Sequence, residues 1–207
     1  MTSDKPTVFL VDDDHAVRGA LELLLDSMDF RTVSYPSAAA FLEDFDQSRR
    51  GCLVLDIRMP GMSGMELQAA LAEKSVHIPI IFLSGHGNVS MSAKAFRTGA
   101  IDFLEKPFDE NVLLERIQEA MQLDQSNQAL AARRADASTR LAALTPRERE
   151  VMLLIVAGNA NKEIATKLDL STRTIETHRG RILEKTGAQS LADLIELALA
   201  SGSHELR

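Results

Sequence analysis

Short apolar runs alternate with amphipathic segments along the N-terminal part of the chain. The apolar runs are rich in β-branched residues and have the length of buried strands; they cover Val8–Val11, Thr32–Tyr35, Cys52–Leu55, Ile78–Leu83 and Ile101–Leu104. Segments with helical periodicity separate them, near residues 15–27, 37–46, 64–73 and 89–98, and a further one begins near Asp109. Continuous apolar strands that alternate with helices are typical of a parallel sheet covered on both faces. The pattern predicts an α/β doubly wound, flavodoxin-like domain with a five-stranded sheet, which binds ligands at the carboxyl ends of its strands.

A long segment without glycine or proline follows this domain. Residues 108–145 are rich in Ala, Leu, Gln and Arg, which favours a helix that continues past the domain as a linker. An apolar residue recurs there every seven positions, at Leu123, Leu130, Ala137 and Leu144. Such a repeat is typical of half of a coiled-coil seam, but Asn127 and Arg134 occupy the complementary positions. A dimeric linker and a solvated or flexible connector both remain open.

The C-terminal part of the chain begins with a strong helix start. Thr145 is a capping residue, with Pro146 at the first helical position and Glu148 at the third. This helix should end before Gly158. Further helices follow by the same reasoning: Asn161 can cap one through Leu168, Ser171 or Thr172 one to about Thr186, and Ser190 one with apolar residues at Leu191, Leu194, Ile195 and Leu199. Four helices with a tight turn between the middle two predict an all-α, four-helix helix-turn-helix domain.

Composition and charge fit a soluble chain with two different parts. The chain is 45% hydrophobic and 26% charged, as in ordinary globular proteins. The net charge of −7 is uneven, because residues 1–123 hold 19 acidic and 11 basic residues while residues 124–207 hold 11 and 12. No apolar run approaches the ~20 residues of a membrane span, no secretory signal is visible, and the single cysteine excludes an internal disulfide. We expect a cytoplasmic protein without membrane contact, with a first domain at 1–123, a helical linker at 124–143 and a helix-turn-helix domain at 144–207.

Acidic residues follow two neighbouring strands of the predicted sheet. Asp12 and Asp13 come directly after the first strand, and Asp56 ends the third. Carboxylates at one rim repel one another, so they require a cation or raised pKa values, and Mg²⁺ or Mn²⁺ with oxygen ligands suits such a rim. Lys106 and Ser84 follow the fifth and fourth strands and bring an ammonium group and a hydroxyl to it. Together these groups predict a phosphoryl-acceptor site with Asp56 as the nucleophile.

Four motifs at the strand ends resemble the receiver domain of response regulators, in particular the FixJ type. They are VDDD at 11–14, LDIRMPGMSG at 55–64, FLSGHG at 82–87 and DFLEKPF at 102–108, and the resemblance covers residues 7–123. It implies that Asp12 and Asp13 bind Mg²⁺, which Asp56 would contact through its carboxylate and Arg58 through its backbone carbonyl. The remaining acidic residue of the first motif, Asp14, is expected to cap the first helix.

The same resemblance implies a phosphorylation-dependent switch. Ser84 and Phe103 would change position on phosphorylation, Lys106 would contact the phosphoryl group, and the Lys106–Pro107 peptide bond would be cis. Phe103 has a plain alternative as a half-buried aromatic residue on the fifth strand. Residues Met91, Ala95 and Phe96 of the predicted helix at 89–98 either form part of a dimer face or simply point inward.

Residues 144–187 resemble a LuxR-type helix-turn-helix, and the helix at 190–200 extends the match. The second helix of the pair, Thr172–Thr186, is then expected to enter the major groove of DNA. Its core side carries Ile175, Ile182 and Leu183, and the side that the family turns to the groove carries Glu176, Thr177, Arg179 and Gly180. Candidates for contacts with backbone phosphates are Lys162, Arg173, Thr174, Arg181 and Lys185.

The resemblance also implies partners and excludes other functions. A sensor histidine kinase would donate the phosphoryl group, and the phosphorylated chain would form a homodimer on double-stranded promoter DNA and activate transcription with RNA polymerase. The apolar stripe of the last helix either pairs two such domains or only closes a small core. A Mg²⁺-dependent phosphatase with an aspartyl nucleophile would need an aspartate two residues after Asp56, where this chain has Arg58. We therefore expect no enzyme, and the helix-turn-helix disfavours an output to RNA or protein.

Overall fold

The computed structural model describes residues 6–46, 49–85 and 100–202, and the chain divides into two compact units, Met1–Asn127 and Gln128–Arg207. The first unit holds a parallel sheet in the order β2-β1-β3-β4-β5, which confirms the predicted doubly wound fold. Its strands are β1 (Thr7–Val11), β2 (Arg31–Tyr35), β3 (Gly51–Asp56), β4 (Ile80–Ser84) and β5 (Asp102–Glu105). The helix predicted near 89–98, with Met91, Ala95 and Phe96, lies outside the described residues.

Helices cover both faces of this sheet, because successive residues of each buried strand point to opposite sides. The described helices are α1 (His15–Ser27), α2 (Ala38–Asp44), α3 (Gly64–Glu73) and α4 (Glu110–Ala142). Phe9, Leu53 and Phe82 pack in one core cluster, whereas their neighbours Cys52 and Ile81 pack in the other. Each such side chain contributes roughly 1.5–3 kcal/mol of burial free energy. The burial of Cys52 is complete and raises the pKa of its thiol.

The helix α4 is 33 residues long and takes part in the cores of both units. Leu113 and Ile117 are buried under the sheet, and Asp124, which is 7% exposed, accepts a hydrogen bond of 3.1 Å from the backbone N–H of Gly51. Further along, Leu141 belongs to the core of the second unit, and its carbonyl accepts a bond of 2.9 Å from the Arg149 side chain. The helix thus includes residues 124–142, which were predicted to be helical.

The seven-residue repeat on α4 is divided between two environments. Leu123 and Leu130 are 44% and 48% exposed, whereas Ala137 and Leu144 are buried in their own chain. The burial of Ala137 and Leu144 leaves these two residues little surface for a seam that runs through all four. A dimeric contact through Leu123 and Leu130 stays a prediction.

The second unit is a four-helix domain, as predicted. Its helices are α5 (Pro146–Val156), α6 (Asn161–Leu168), α7 (Thr172–Thr186) and α8 (Leu191–Ala200), around a core that includes Val151, Met152, Ile164, Ile175, Ile182 and Leu194. The capping box of Thr145 and Glu148 is present, Ser171 and Ser190 cap α7 and α8, and Gly187 ends α7 in the left-handed conformation at φ +66°. The predicted cap at Asn161 is wrong, because Ala160 holds that position and Asn161 is already helical.

The stripe on α8 is only partly used in this core. Leu194 and Ala198 are buried, while Leu191 and Leu199 are 43% and 52% exposed. Both roles considered for the stripe therefore stay open. Over the described part of the chain, no helix combines the length and the apolar character that crossing a membrane requires.

Candidate functional site

The carboxylates predicted at the strand ends lie together in the structure. Because β1 and β3 are paired in parallel with Val11 opposite Leu55, Asp12 and Asp56 reach the same rim of the sheet. The Lys106 Nζ, which follows β5, donates to Asp12 Oδ2 at 2.6 Å and to Asp56 Oδ1 at 2.8 Å. Asp12 is 1% and Asp56 7% exposed. One ammonium group therefore joins two buried carboxylates that come from strands far apart in sequence.

Burial and charge act in opposite directions on this pocket. Burial, together with the neighbouring charge of Asp12, raises the pKa of Asp56 above its ordinary value, although the bonds from Lys106 and from the Arg58 backbone N–H lower it. Burial lowers the pKa of Lys106, but its bonds to Asp12 and Asp56 outweigh this effect and leave that pKa raised. The lysine is therefore charged near neutral pH, and its charge offsets part of the effect of burial on the pKa of Asp56.

The remaining predicted metal ligands are placed less tightly. Asp13 and Arg58 are exposed, and the Arg58 backbone N–H donates to Asp56 Oδ2 at 2.7 Å. Asp12 Oδ1 accepts from the Asp14 backbone N–H at 2.9 Å. In the described ranges, no three acidic, histidine or cysteine side chains converge as a ready set of metal ligands. In this arrangement the ammonium group of Lys106 offsets part of the negative charge of the rim.

Ser84 and Phe103 occupy neighbouring strands beside the pocket. Ser84 ends β4 and is 1% exposed, and its carbonyl accepts from the Lys106 backbone N–H at 2.7 Å. Phe103 is on β5, where it pairs with Phe82 of β4, and it is half-buried against the first core cluster. The Lys106–Pro107 peptide bond is cis, as the resemblance implied. Asp14 caps α1 by accepting from the N–H groups of Ala16 and Val17, as expected.

The structure adds two residues to the pocket that the sequence reasoning missed. Arg18 on α1 donates from its guanidinium to the Asp12 carbonyl at 2.6 Å, which fixes the main chain that carries the Asp12 carboxylate. Gly64 begins α3 so close to β3 that a Cβ atom there would lie 2.3 Å from the Asp56 carbonyl oxygen. An arginine one turn into the helix after an acidic motif was the available signal for Arg18, whereas the contact of Gly64 depends on the fold.

The predicted DNA-contact residues fall into an exposed set and an engaged set. The exposed residues lie on α6 and on α7, and they are Lys162, Arg173, Glu176, Thr177, Gly180, Arg181 and Lys185, of which Lys185 is also hydrogen-bonded within the chain. A Cβ atom at Gly180 would meet no atom within 4 Å, so packing within the described chain does not require a glycine there. Thr174 is half-buried and hydrogen-bonds Ser171.

Arg179 and Lys185 make bonds inside the second unit. The half-buried Arg179 donates to Asn161 Oδ1 at 3.2 Å, and Lys185 Nζ donates to Glu148 Oε2 at 2.7 Å. Glu148 is only 3% exposed; the Lys185 bond and the Thr145 backbone N–H lower the pKa of Glu148 to about 2. Both Arg179 and Lys185 are therefore hydrogen-bonded within the chain. Their roles in DNA binding stay predictions.

Comparisons with known proteins agree with both parts of this description. A family model for the response regulator receiver domain matches residues 8–118, and one for bacterial regulatory proteins of the luxR family matches residues 142–198. The transcriptional regulatory protein FixJ of Rhizobium meliloti is 42% identical over 95% of this chain and 96% of its own length. The response regulator protein TmoT of Ectopseudomonas mendocina is 41% identical over 95% of this chain and 90% of its own length.

Solved structures give the same result. The response regulator StyR superposes with a TM-score of 0.83 at 42% identity, over 94% of this chain and 98% of that one. Full-length FixJ from B. japonicum superposes with a TM-score of 0.58 at 39% identity, over 96% of this chain and 98% of that one.

Proposed function

The chain belongs to the FixJ-type response regulators of two-component systems, in which a receiver domain precedes a LuxR-type DNA-binding domain, and on that premise we propose that phosphorylation of Asp56 controls its binding to promoter DNA. Members of this family are transcriptional regulators and not enzymes. The observation that carries the proposal is the bridge from the Lys106 ammonium group to the carboxylates of Asp12 and Asp56. It brings together the proposed nucleophile, a second carboxylate and a compensating charge from the ends of three strands.

The proposed reaction transfers a phosphoryl group from a histidine of the sensor kinase. A carboxylate oxygen of Asp56 forms a bond to phosphorus while the bond from phosphorus to the histidine nitrogen breaks, and that nitrogen keeps the electron pair. Such transfers depend mainly on position and on neutralised charge. Lys106 is placed to follow the negative charge from the carboxylate to the new phosphoryl oxygens, since its Nζ lies 2.8 Å from Asp56 Oδ1.

The donor atoms at this rim suit a hard divalent ion. Asp12, Asp13, Asp56 and the backbone carbonyl of Arg58 would hold Mg²⁺ or Mn²⁺, which prefer carboxylate and carbonyl oxygens. The ion would supply the charge neutralisation that phosphoryl transfer requires. Asp12 and Asp56 are bonded to Lys106 in this structure, so Lys106 would give up at least one of these bonds when the ion binds.

The switch proposed for the receiver uses Ser84 and Phe103. A phosphoryl group on Asp56 adds acceptor oxygens next to β4, where the hydroxyl group of Ser84 can donate to one of them. Phe103, on the adjacent strand, would then move into the space that Ser84 leaves. The expected consequence is a homodimer of phosphorylated chains in the cytoplasm.

The proposed output is promoter recognition by α7. Glu176, Thr177 and Gly180 share its exposed side and would face base edges in the major groove. Lys162, Arg173, Thr174 and Arg181 would contact phosphates, with Arg179 and Lys185 joining only if their internal bonds open. A dimer would place two such helices on paired half-sites and would activate transcription through RNA polymerase.

The test of the phosphorylation proposal compares two carboxylate variants by intact-mass spectrometry after treatment with acetyl phosphate and Mg²⁺. Asp56→Asn should abolish the acid-labile phosphoryl adduct. Asp14→Asn removes a carboxylate from the same rim, but it keeps a residue that can cap α1, so it should still be phosphorylated. A phosphoryl adduct that persists in Asp56→Asn would refute the assignment.

The test of the output asks whether one carboxylate reads one base. Glu176 is exposed on α7, and a carboxylate accepts from cytosine N4. Glu176→Ala should therefore relax the preference at a single base pair in selections from a randomised duplex library. Glu184→Ala, on the same helix, is the matched control and should leave the profile unchanged. An unaltered profile for Glu176→Ala would remove this residue from the base-reading set.

A further inference from the structure

A hydrogen bond connects the two helices of the helix-turn-helix. The guanidinium group of Arg179, in the middle of α7, donates from Nη1 to the side-chain oxygen of Asn161, the first residue of α6, at 3.2 Å. The bond is partly buried. It therefore connects the start of α6 to the centre of α7. This bond is not part of the cap of α6.

Asn161 is available for this contact because it does not cap α6. The N-cap is Ala160, whose backbone N–H donates to Glu163 Oε2 at 2.8 Å. The start of α6 is thus stabilised from within its own first turn. The side-chain oxygen of Asn161 instead accepts from Arg179, 18 residues along the chain.

Arg179 emerges from the inner side of α7. It stands four residues after Ile175 and three before Ile182, so it shares a helix face with these two fully buried residues. Its side chain borders a small cavity with Leu183 and Leu191. The aliphatic stem therefore packs near the core while the charged end reaches α6, whereas the exposed Thr177 lies on the opposite side of α7.

We propose that Asn161 and Arg179 set the orientation of α7 on α6, and that Arg179 is a positioning residue for DNA recognition and not a base reader. The orientation of the second helix decides which of its side chains meet base edges. A planar guanidinium group with donors in fixed directions holds such an orientation better than a flexible ammonium group. The inference rests on the proposed role of α7 as the recognition helix.

The test is a double-mutant cycle on the full chain treated with acetyl phosphate and Mg²⁺. The probes are a duplex selected by the wild-type chain from a randomised library and a scrambled duplex of the same composition. Asn161→Ala and Arg179→Ala should each reduce the ratio of selected to scrambled affinity about fivefold, as expected for one lost hydrogen bond of roughly 1 kcal/mol. The double variant should lose no more than either single variant, because both remove the same contact.

Base preferences and a conservative variant distinguish positioning from direct reading. A positioning role predicts that both alanine variants flatten the preference at several base pairs together. Asn161→Asp keeps an acceptor for the guanidinium group and should hold the affinity ratio within about twofold of wild type. Thermal unfolding shows whether each variant folds, and Asn161→Asp keeps the test informative if an alanine variant does not.

The inference would be overturned by a loss of preference that is confined to one base pair in Arg179→Ala and absent from Asn161→Ala. Additive effects in the double variant would also overturn it. So would an Asn161→Asp chain as impaired as Asn161→Ala. If the wild type selects a duplex and the single variants match it, only this inference fails. If the wild type prefers no duplex, the role of α7 and this inference fall together.

Discussion

Two acidic residues beside lysines show how the surroundings of a side chain decide its chemistry. Asp56 has a raised pKa because burial dominates and Asp12 adds a like charge, despite the bond to Lys106. Glu148 has a pKa lowered to about 2, because Lys185 and the Thr145 backbone N–H both stabilise its charged form. A carboxylate bonded to a lysine thus belongs to the proposed phosphoacceptor pocket in one unit and connects α5 to α7 in the other.

Glu148→Gln should reduce the sensitivity of the second unit to acid. The folded-state pKa of about 2 lies below the ordinary 4.5, so the carboxylate stabilises the fold above pH 4.5, and this contribution is lost as the pH falls from about 4.5 to about 2. In thermal unfolding at a series of pH values, the wild type should lose stability through that window more steeply than the variant. Glu184→Gln, a change on the exposed surface of α7, should behave as wild type. Parallel wild-type and Glu148→Gln curves would contradict this role.

Strands and helices were predictable where short-range patterns decide them. The apolar runs gave all five strands and the capping residues gave most helix starts, because burial on both sheet faces and local hydrogen bonds leave direct traces in sequence. Strand ends were less exact: β4 begins at Ile80 and not Ile78, and β5 includes the polar residues Asp102 and Glu105. Pairing with a neighbouring strand sets these limits, and it is not visible in one segment.

The grouping of Asp12, Asp56 and Lys106 was predictable for a similar reason, since these residues follow directly on strands or end them. The contacts of Arg18 with the Asp12 carbonyl and of Arg179 with Asn161 were not predicted. Each depends on how a helix packs against a neighbouring segment of chain. The burial of Ala137 likewise depends on tertiary packing, which a seven-residue repeat cannot reveal.

The pocket depends on the close approach of Gly64, the first residue of α3, to the main chain of Asp56. Gly64→Ala would place a methyl group 2.3 Å from the Asp56 carbonyl oxygen, so α3 or β3 must shift. We expect a loss of about 1–3 kcal/mol in the free energy of unfolding and at least tenfold slower labelling by acetyl phosphate, as roughly 1 Å of misplacement can cause. Chemical denaturation and timed mass spectra measure the two effects.

A second glycine provides the control for this prediction. Gly19 lies within α1, where an added Cβ atom meets no atom within 4 Å. Gly19→Ala should therefore stabilise the helix by about 0.5–1 kcal/mol without slowing phosphorylation. Equal behaviour of the two alanine variants would show that the close approach of α3 to Asp56 is unimportant.

At the scale of the whole molecule, the N-terminal and C-terminal parts of the chain differ in charge. Residues 1–123 carry an excess of acidic residues, 19 against 11 basic, whereas residues 124–207 are nearly balanced. A chain with a net charge of −7 gains little from long-range attraction to DNA. We therefore expect binding to depend on local cations, and Lys162 and Arg181, which are exposed on α6 and α7, are the proposed ones.

Removal of either cation should weaken binding to every duplex similarly and reduce its salt dependence. For Lys162→Ala or Arg181→Ala, the slope of log affinity against log salt should fall by about 0.9, the value for one phosphate contact. Lys74→Ala removes an exposed cation from the first unit and should leave the slope unchanged. An effect limited to one base position would argue against phosphate contact.

Cys52 offers a practical consequence of the buried sheet. It is the only cysteine in the chain, and it lies on the central strand β3 with no exposed surface. Burial, and to a smaller extent the charge of Asp124, raises the pKa of its thiol. A maleimide dye can react there only after β3 leaves the sheet. The rate of dye incorporation into unaltered full-length chain would therefore count opening events of the N-terminal unit alone, with no engineered reporter.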